Sequence, residues 1–188
     1  MIIKNVKVYT EEKEFVEGEI VIREGKIEAA GPACLGADRA ASEETVIDGE
    51  GCYAIPGLID LHFHGCKGYD FCDGTKEAIE KIAEYEASVG VTAISPATMT
   101  LPVNELEDIL SVAAQYKAEV NSKATGQNSG ADLVGVNMEG PFISEEKKGA
   151  QDERNIISCD ADVCQRFLDA SEGLVKFVGI APERNGDA

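Results

Sequence analysis

Residues 56–65 read Pro56-Gly57-Leu58-Ile59-Asp60-Leu61-His62-Phe63-His64-Gly65. The run holds both histidines of the chain, two residues apart. Its Leu, Ile and Phe content reads as a buried strand. Side chains alternate across a strand, so Asp60, His62 and His64 share one face and Ile59, Leu61 and Phe63 the other. Two imidazoles near a strand end, where Gly65 opens a loop, begin a divalent-metal site. A His-x-His taken alone is more often a pair of ordinary strand histidines, so the rest of the chain has to decide.

Downstream, strands alternate with helices. Residues 65–74 read as a loop rich in Gly, Tyr, Asp and Cys. Thr75 is placed to cap a helix whose apolar positions include Ile79, Ile82, Ala83 and Val89, and Gly90 ends it. Val91 to Ser95 reads as a second strand, closed by Pro96. Asn104 with Glu107 three residues later has the spacing of a capping box. Leu106, Ile109, Leu110, Ala113, Tyr116 and Val120 follow as an amphipathic stripe that packs in a core. Residues 121–131 read as a loop.

Leu133 to Glu139 is a third strand with Glu139 at its C-terminal end. Residues 140–158 form a loop long enough to carry function. Asp160 or Asp162 caps a third helix with Val163, Phe167 and Leu168 as its apolar positions. Leu174 to Ala181 is a fourth strand. In parallel barrels the working residues stand at the C-terminal ends of strands, which is where His62, His64 and Glu139 all fall. Two His and one carboxylate with an open position make a catalytic zinc set. Asp60, on the histidine face, either orients a ligand from behind or is a carboxylate satisfied by local backbone. Glu183 at the close of the fourth strand either lines the same site or is a solvated carboxylate. Cys66, two residues past His64, is a weaker candidate for a soft ligand, because a free Cys is usually a small hydrophobe.

Upstream, residues 1–54 read as short strands with tight turns. Glu24-Gly25 between Glu19–Arg23 and Lys26–Ala30 is a hairpin signal. Val46-Ile47-Asp48-Gly49 is another short strand and turn, and residues 31–43 read as a surface loop. The chain therefore divides into a small β module, 1–54, and an α/β portion, 55–188.

The first-strand run resembles the first barrel strand of the amidohydrolase superfamily, metal-dependent hydrolases on a (β/α)8 barrel. Met138-Glu139-Gly140-Pro141-Phe142-Ile143-Ser144, with Lys147-Lys148-Gly149-Ala150 after it, narrows this. It resembles the N-acetylglucosamine-6-phosphate deacetylase family, along nearly the whole chain. The resemblance implies hydrolysis of a linear amide, freeing glucosamine 6-phosphate and acetate in amino-sugar catabolism. It implies a divalent metal, zinc, as one or two ions, since members that keep both first-strand histidines can hold a second. It implies metal ligation by His62, His64 and Glu139, with sugar contacts at Lys148 and at Gln151, where many members carry a histidine. It also implies that residues 1–54 are part of a β-sandwich.

A closed barrel of this type takes about 250 residues. Residues 55–188 suffice for the first four strand-helix units. The family's further metal histidines and its general-base aspartate are expected in later strands, so no catalytic acid or base is assigned within this chain. Unpaired edges on strands one and four would then favour self-association, as a homo-oligomer or through the open half-barrel edges. Two other readings stand beside this one: a non-catalytic, metal-binding fragment, and an amidohydrolase acting on a cyclic amide. The Glu-Gly-Pro-Phe-Ile-Ser segment argues against the latter.

Composition sets the limits on partners. The chain has 188 residues, 44% of them hydrophobic, and a formal net charge of −18. Such a surface repels phosphate backbones and anionic headgroups, which argues against nucleic acid and membrane. A sugar-phosphate substrate would need a local positive pocket, to which Lys147 and Lys148 can contribute. No apolar run approaches the ~18 residues of a membrane span. Six cysteines without a Cys-x-x-Cys pair or a secretion signal read as reduced thiols in a cytoplasmic protein.

Overall fold

The computed structural model describes residues 1–32, 45–122 and 130–184. The loops expected at 31–43 and 121–131 lie mostly outside the described residues, as does Cys34. The chain forms two compact units, Met1–Pro56 and Gly57–Ala188.

The first unit is, among the described residues, one five-stranded sheet. Its centre is β1 (Ile2–Tyr9), antiparallel to β2 (Phe15–Arg23), which pairs in turn with β3 (Lys26–Gly31). Glu24 and Gly25 connect β2 to β3 with φ of +50° and +75°. Two positive φ values in a two-residue connection match the right-handed twist of the flanking strands. The other side of β1 carries two short parallel partners, β4 (Val46–Asp48) and β5 (Tyr53–Ala54). Ile2, Val6, Val8 and Val21 are buried.

The second unit begins with β6 (Leu58–Asp60). The stretch 65–74, expected as plain loop, contains a small hairpin, β7 (Gly65–Cys66) with β8 (Tyr69–Asp70), and a 3-10 turn over Phe71–Asp73. Asp70 and Asp73 cap that turn reciprocally, a local hydrogen-bonding arrangement hidden in what reads as polar loop composition. Helix α1 (Lys76–Ser88) follows, with the Thr75 hydroxyl accepting from Ala78 N at 3.2 Å. Next come β9 (Val91–Ile94) and β10 (Ala97–Thr98). Pro96 lies between them and has no N–H to give to a ladder. Helix α2 (Val103–Ser122) leads to β11 (Asp132–Leu133) and β12 (Val136–Met138). Helix α3 (Ala161–Ala170), capped by Asp160, leads to β13 (Val175–Val178).

All pairing between the strands that alternate with the helices is parallel. β9 lies between β6 and β11, and β12 lies between β10 and β13. Isolated bonds carry the pairing past the assigned ends, from Ser95 N to Asp60 O at 2.8 Å and from Ala97 N to Phe63 O at 2.7 Å. Four extended runs thus lie side by side in chain order, with helices as the connections. Their shared core includes Ile79, Ile82, Ile94, Leu106, Leu110, Leu133, Met138, Phe142 and Phe167.

Three expectations need correction. The third strand is not continuous: its ladder is interrupted at Val134-Gly135. A Cβ at Gly135 would stand 2.7 Å from Lys176 Cγ and 3.0 Å from Ser95 Oγ, so the strands on either side approach there as only glycine allows. Asn104 does not cap α2, because the helix already starts at Val103 and Leu106 N bonds to Pro102 O. Glu107 instead accepts two bonds from Arg166 on α3, at 2.7 and 2.6 Å. Finally, the apolar face of the first strand is only partly buried: Ile59 and Leu61 are 58 and 50% exposed, while Phe63 packs against the core. Among the described strands β6 pairs with β9 alone, so nothing there covers its other edge.

Candidate metal centre

His62 and His64 stand just past the end of β6, on the extended run that pairing with β10 holds in place. Asp60 Oδ1 accepts the main-chain N–H of His62 at 3.0 Å. The carbonyl of His64 accepts from Phe71 N at 2.8 Å. Asp60 thus steadies the backbone under His62 rather than its ring, the second of its two sequence readings. Gly65 seals the turn after His64: a Cβ there would meet Tyr69 O at 2.1 Å and Asp70 Cα at 2.7 Å.

Glu139 follows β12 directly. Its Oε2 lies 3.2 Å from His62 Nε2 and 3.0 Å from His64 Nε2. The two rings are 5.7 Å apart and nearly perpendicular, at 80°. Among the described residues these three form a group able to hold a metal ion. Cys66 is not part of it, and burial together with the Glu86 charge pushes its thiol up, away from the thiolate form that binds metals.

The contacts are close but are not hydrogen bonds. Glu139 Oε2 is buried and has no hydrogen-bond partner, and neither has His64 Nδ1. A buried carboxylate oxygen normally finds donors, and one left without them carries a desolvation cost. Ligands about 2.0–2.2 Å from a shared zinc ion stand roughly 3.3–3.6 Å apart in a tetrahedral arrangement. The observed 3.0 and 3.2 Å therefore suit convergence on a common cation, and the N, N, O donor set suits a borderline metal such as zinc.

Lys147, Lys148, Ser144 and Glu183 line one cavity of about 240 Å³ with Glu139. Lys148 Nζ donates to Gln151 O at 3.0 Å, which holds the loop at the cavity wall. Gln151, expected at the sugar, is turned inward instead. It is 3% exposed, and its amide oxygen accepts from Thr100 N at 2.6 Å while Nε2 faces Met99 Sδ at 3.7 Å. Two residues escaped the sequence reading. Arg184 bonds Ile143 O at 2.9 Å and Glu145 at 3.0 Å, tying the fourth-strand loop to the loop after β12. Asn137 Nδ2 lies 3.2 Å from His62 Nδ1. The period-two rule already places Asn137 on the face of Glu139, so the signal for it was available.

No protein-family model matches the chain. It is 27% identical over 185 residues to the N-acetylglucosamine-6-phosphate deacetylase of Bacillus subtilis (strain 168), covering 98% of this chain and 45% of that protein. The Bos taurus protein of the same name is 35% identical over 150 residues, 77% of this chain and 34% of its own length. Among solved structures, the N-acetylglucosamine-6-phosphate deacetylase of Thermotoga maritima superposes with a TM-score of 0.68 at 28% identity, over 88% of this chain and 39% of that one. The chain spans less than half the length of these relatives. The Bos taurus relative, 35% identical over 77% of this chain, shows that the chain belongs to the N-acetylglucosamine-6-phosphate deacetylase family.

Proposed function

We propose that the chain is the N-terminal portion of a metal-dependent deacetylase that hydrolyses N-acetylglucosamine 6-phosphate to glucosamine 6-phosphate and acetate. In this reading residues 55–188 are the first four units of a (β/α)8 barrel, and residues 1–54 are part of a β-sandwich domain. The observation that carries it is the convergence of His62 Nε2, His64 Nε2 and an otherwise unpartnered Glu139 Oε2.

His62, His64 and Glu139 would hold the ion, with zinc favoured by the donor set. When bound, such an ion polarises an amide carbonyl and lowers the pKa of a water nucleophile. The chain's own residues do the rest of what this portion contributes. Asp60 and Gly65 fix the backbone on either side of the histidines. Lys147 and Lys148 offset the two carboxylates, Glu139 and Glu183, that line the same cavity, so its lining lacks the net negative charge of the chain as a whole. Their ammonium groups are the cationic partners it offers a sugar phosphate.

Only two histidines exist in the sequence, and both are already in the cluster. The isolated chain is therefore expected to bind the ion without turning over substrate. Isothermal titration of the chain with zinc tests the site: wild type binds, and Glu139→Gln binds at least ~100-fold more weakly, the upper range seen when even a supporting residue of a metal site is lost. Equal affinity for both proteins would end this reading. Acetate release from N-acetylglucosamine 6-phosphate by the chain alone would in turn remove the division of labour proposed here.

A further inference from the structure

We propose that Asn137 is a positioning residue for His62, holding the ring so that its Nε2 faces Glu139. The proposal rests on reading the cluster as a metal site, and it deepens that reading. Asn137 Nδ2 donates to Leu61 O at 3.1 Å and lies 3.2 Å from His62 Nδ1. One amide thus grips both the main chain before His62 and the far side of its ring.

Geometry makes this contact matter more for His62 than for its neighbour. The His62 side chain is 53% exposed, against 34% for His64, so packing restrains it less. Apart from Glu139, Asn137 is the one hydrogen-bonding side chain seen against the His62 ring among the described residues. Asn137 itself is well fixed. It lies in β12, in register with Ala97 of β10 and Phe177 of β13, and its N–H bonds to Pro96 O at 2.9 Å. Glu139 is two residues further along the same run. A single segment therefore presents a carboxylate to Nε2 and an amide to Nδ1, and the imidazole is held between them.

As placed, Nδ2 donates to Leu61 O and faces an unprotonated Nδ1, so a neutral ring carries its proton on Nε2, toward Glu139. A cation at Nε2 needs the other tautomer, for which the amide turns so that Oδ1 accepts from Nδ1–H and the bond to Leu61 O is given up. Partners of this kind orient metal-binding histidines and commonly change metal affinity about 10- to 100-fold when lost.

The test uses the 188-residue chain and cobalt(II), whose visible absorption reports ligand number. Asn137→Leu, close to isosteric, is expected to weaken cobalt binding about 10- to 100-fold with an unchanged unfolding midpoint. In a His62→Ala background the same substitution is expected to change binding less than twofold. Unchanged affinity in Asn137→Leu, or an undiminished loss in the His62→Ala background, would overturn the proposal. If Asn137→Leu fails to fold, Asn137→Ala takes its place. Nitrogen-15 resonances of the histidine rings in the metal-free chain provide an arm that needs no metal. Loss of Asn137 should move His62 Nδ1 and leave His64 in place, and no movement at His62 counts against it. Should wild type bind no cobalt at all, the metal reading fails, and the ring resonances still decide whether Asn137 positions His62.

Discussion

Gly65 shows how little room surrounds the histidine pair. The atoms a side chain would strike, Tyr69 O and Asp70 Cα, are both backbone, and both belong to the small hairpin that turns the chain after His64. Gly65→Ala must therefore open the hairpin. We expect it to cost roughly 1–3 kcal/mol, the range for overpacking a tight site, and to weaken zinc binding by displacing His64. Chemical denaturation and zinc titration of the same protein measure the two effects. Gly140 is under comparable constraint, since a Cβ there would meet Thr100 Oγ1 at 2.0 Å. Each ligand segment is thus followed by a glycine whose missing side chain lets a neighbour close in.

At the scale of elements, caps separate what local sequence decides from what tertiary structure decides. Thr75→Ala removes a hydroxyl that accepts from Ala78 N and should destabilise by about 1 kcal/mol. Asn104→Ala should stay within about 0.5 kcal/mol, because α2 starts before it. Thermal unfolding of the two variants side by side checks the contrast. Thr75, Asp160, the Glu24-Gly25 turn and the stop at Gly90 were legible in the sequence because each depends on bonds between near neighbours. Asn104 misled because Glu107 had a distant partner, Arg166, which no local pattern reveals. The convergence of His62, His64 and Glu139 was legible for a different reason: parallel strands of one unit put their C-terminal ends together, whatever the loops do. Gln151 was not, since its inward turn depends on Thr100 and Met99, some fifty residues earlier in the chain. Phe167, wholly buried on α3 and 6.2 Å from the Phe142 ring, joins the long loop after Glu139 to the core. Phe167→Ala should cost about 3–5 kcal/mol, read from denaturant unfolding.

For the whole molecule, charge and exposed apolar surface set behaviour in solution. Burial, and then the nearby Asp60 charge, push the Glu86 carboxyl above its ordinary 4.5. Between that value and the raised one, the folded chain keeps a proton that the unfolded chain has released. Stability from this group is therefore greatest below the window and falls as pH rises through it. Glu86→Gln should flatten the wild-type decline in unfolding midpoint as pH rises above 4.5, and parallel curves would show that Glu86 does not titrate this way. Leu58, Ile59 and Leu61 near the β6 edge and Phe177 and Ile180 near β13 are between 45 and 58% exposed. We expect sedimentation to find species heavier than the 20.0 kDa monomer, more so as salt screens the charge of −18. Ile59→Lys should shift the distribution toward monomer.

The arrangement around β1 also bears on the order in which its sheet can close. The antiparallel partner β2 follows after a short connection, so that hairpin closes a small loop. The parallel partners β4 and β5 pair with residues more than forty positions away, as Ile2 with Val46 and Lys7 with Tyr53. Contacts of such separation form more slowly. Pulse-labelled amide exchange during refolding should therefore protect the Lys7 N–H, which bonds to Cys52 O, later than the amides that pair β1 with β2.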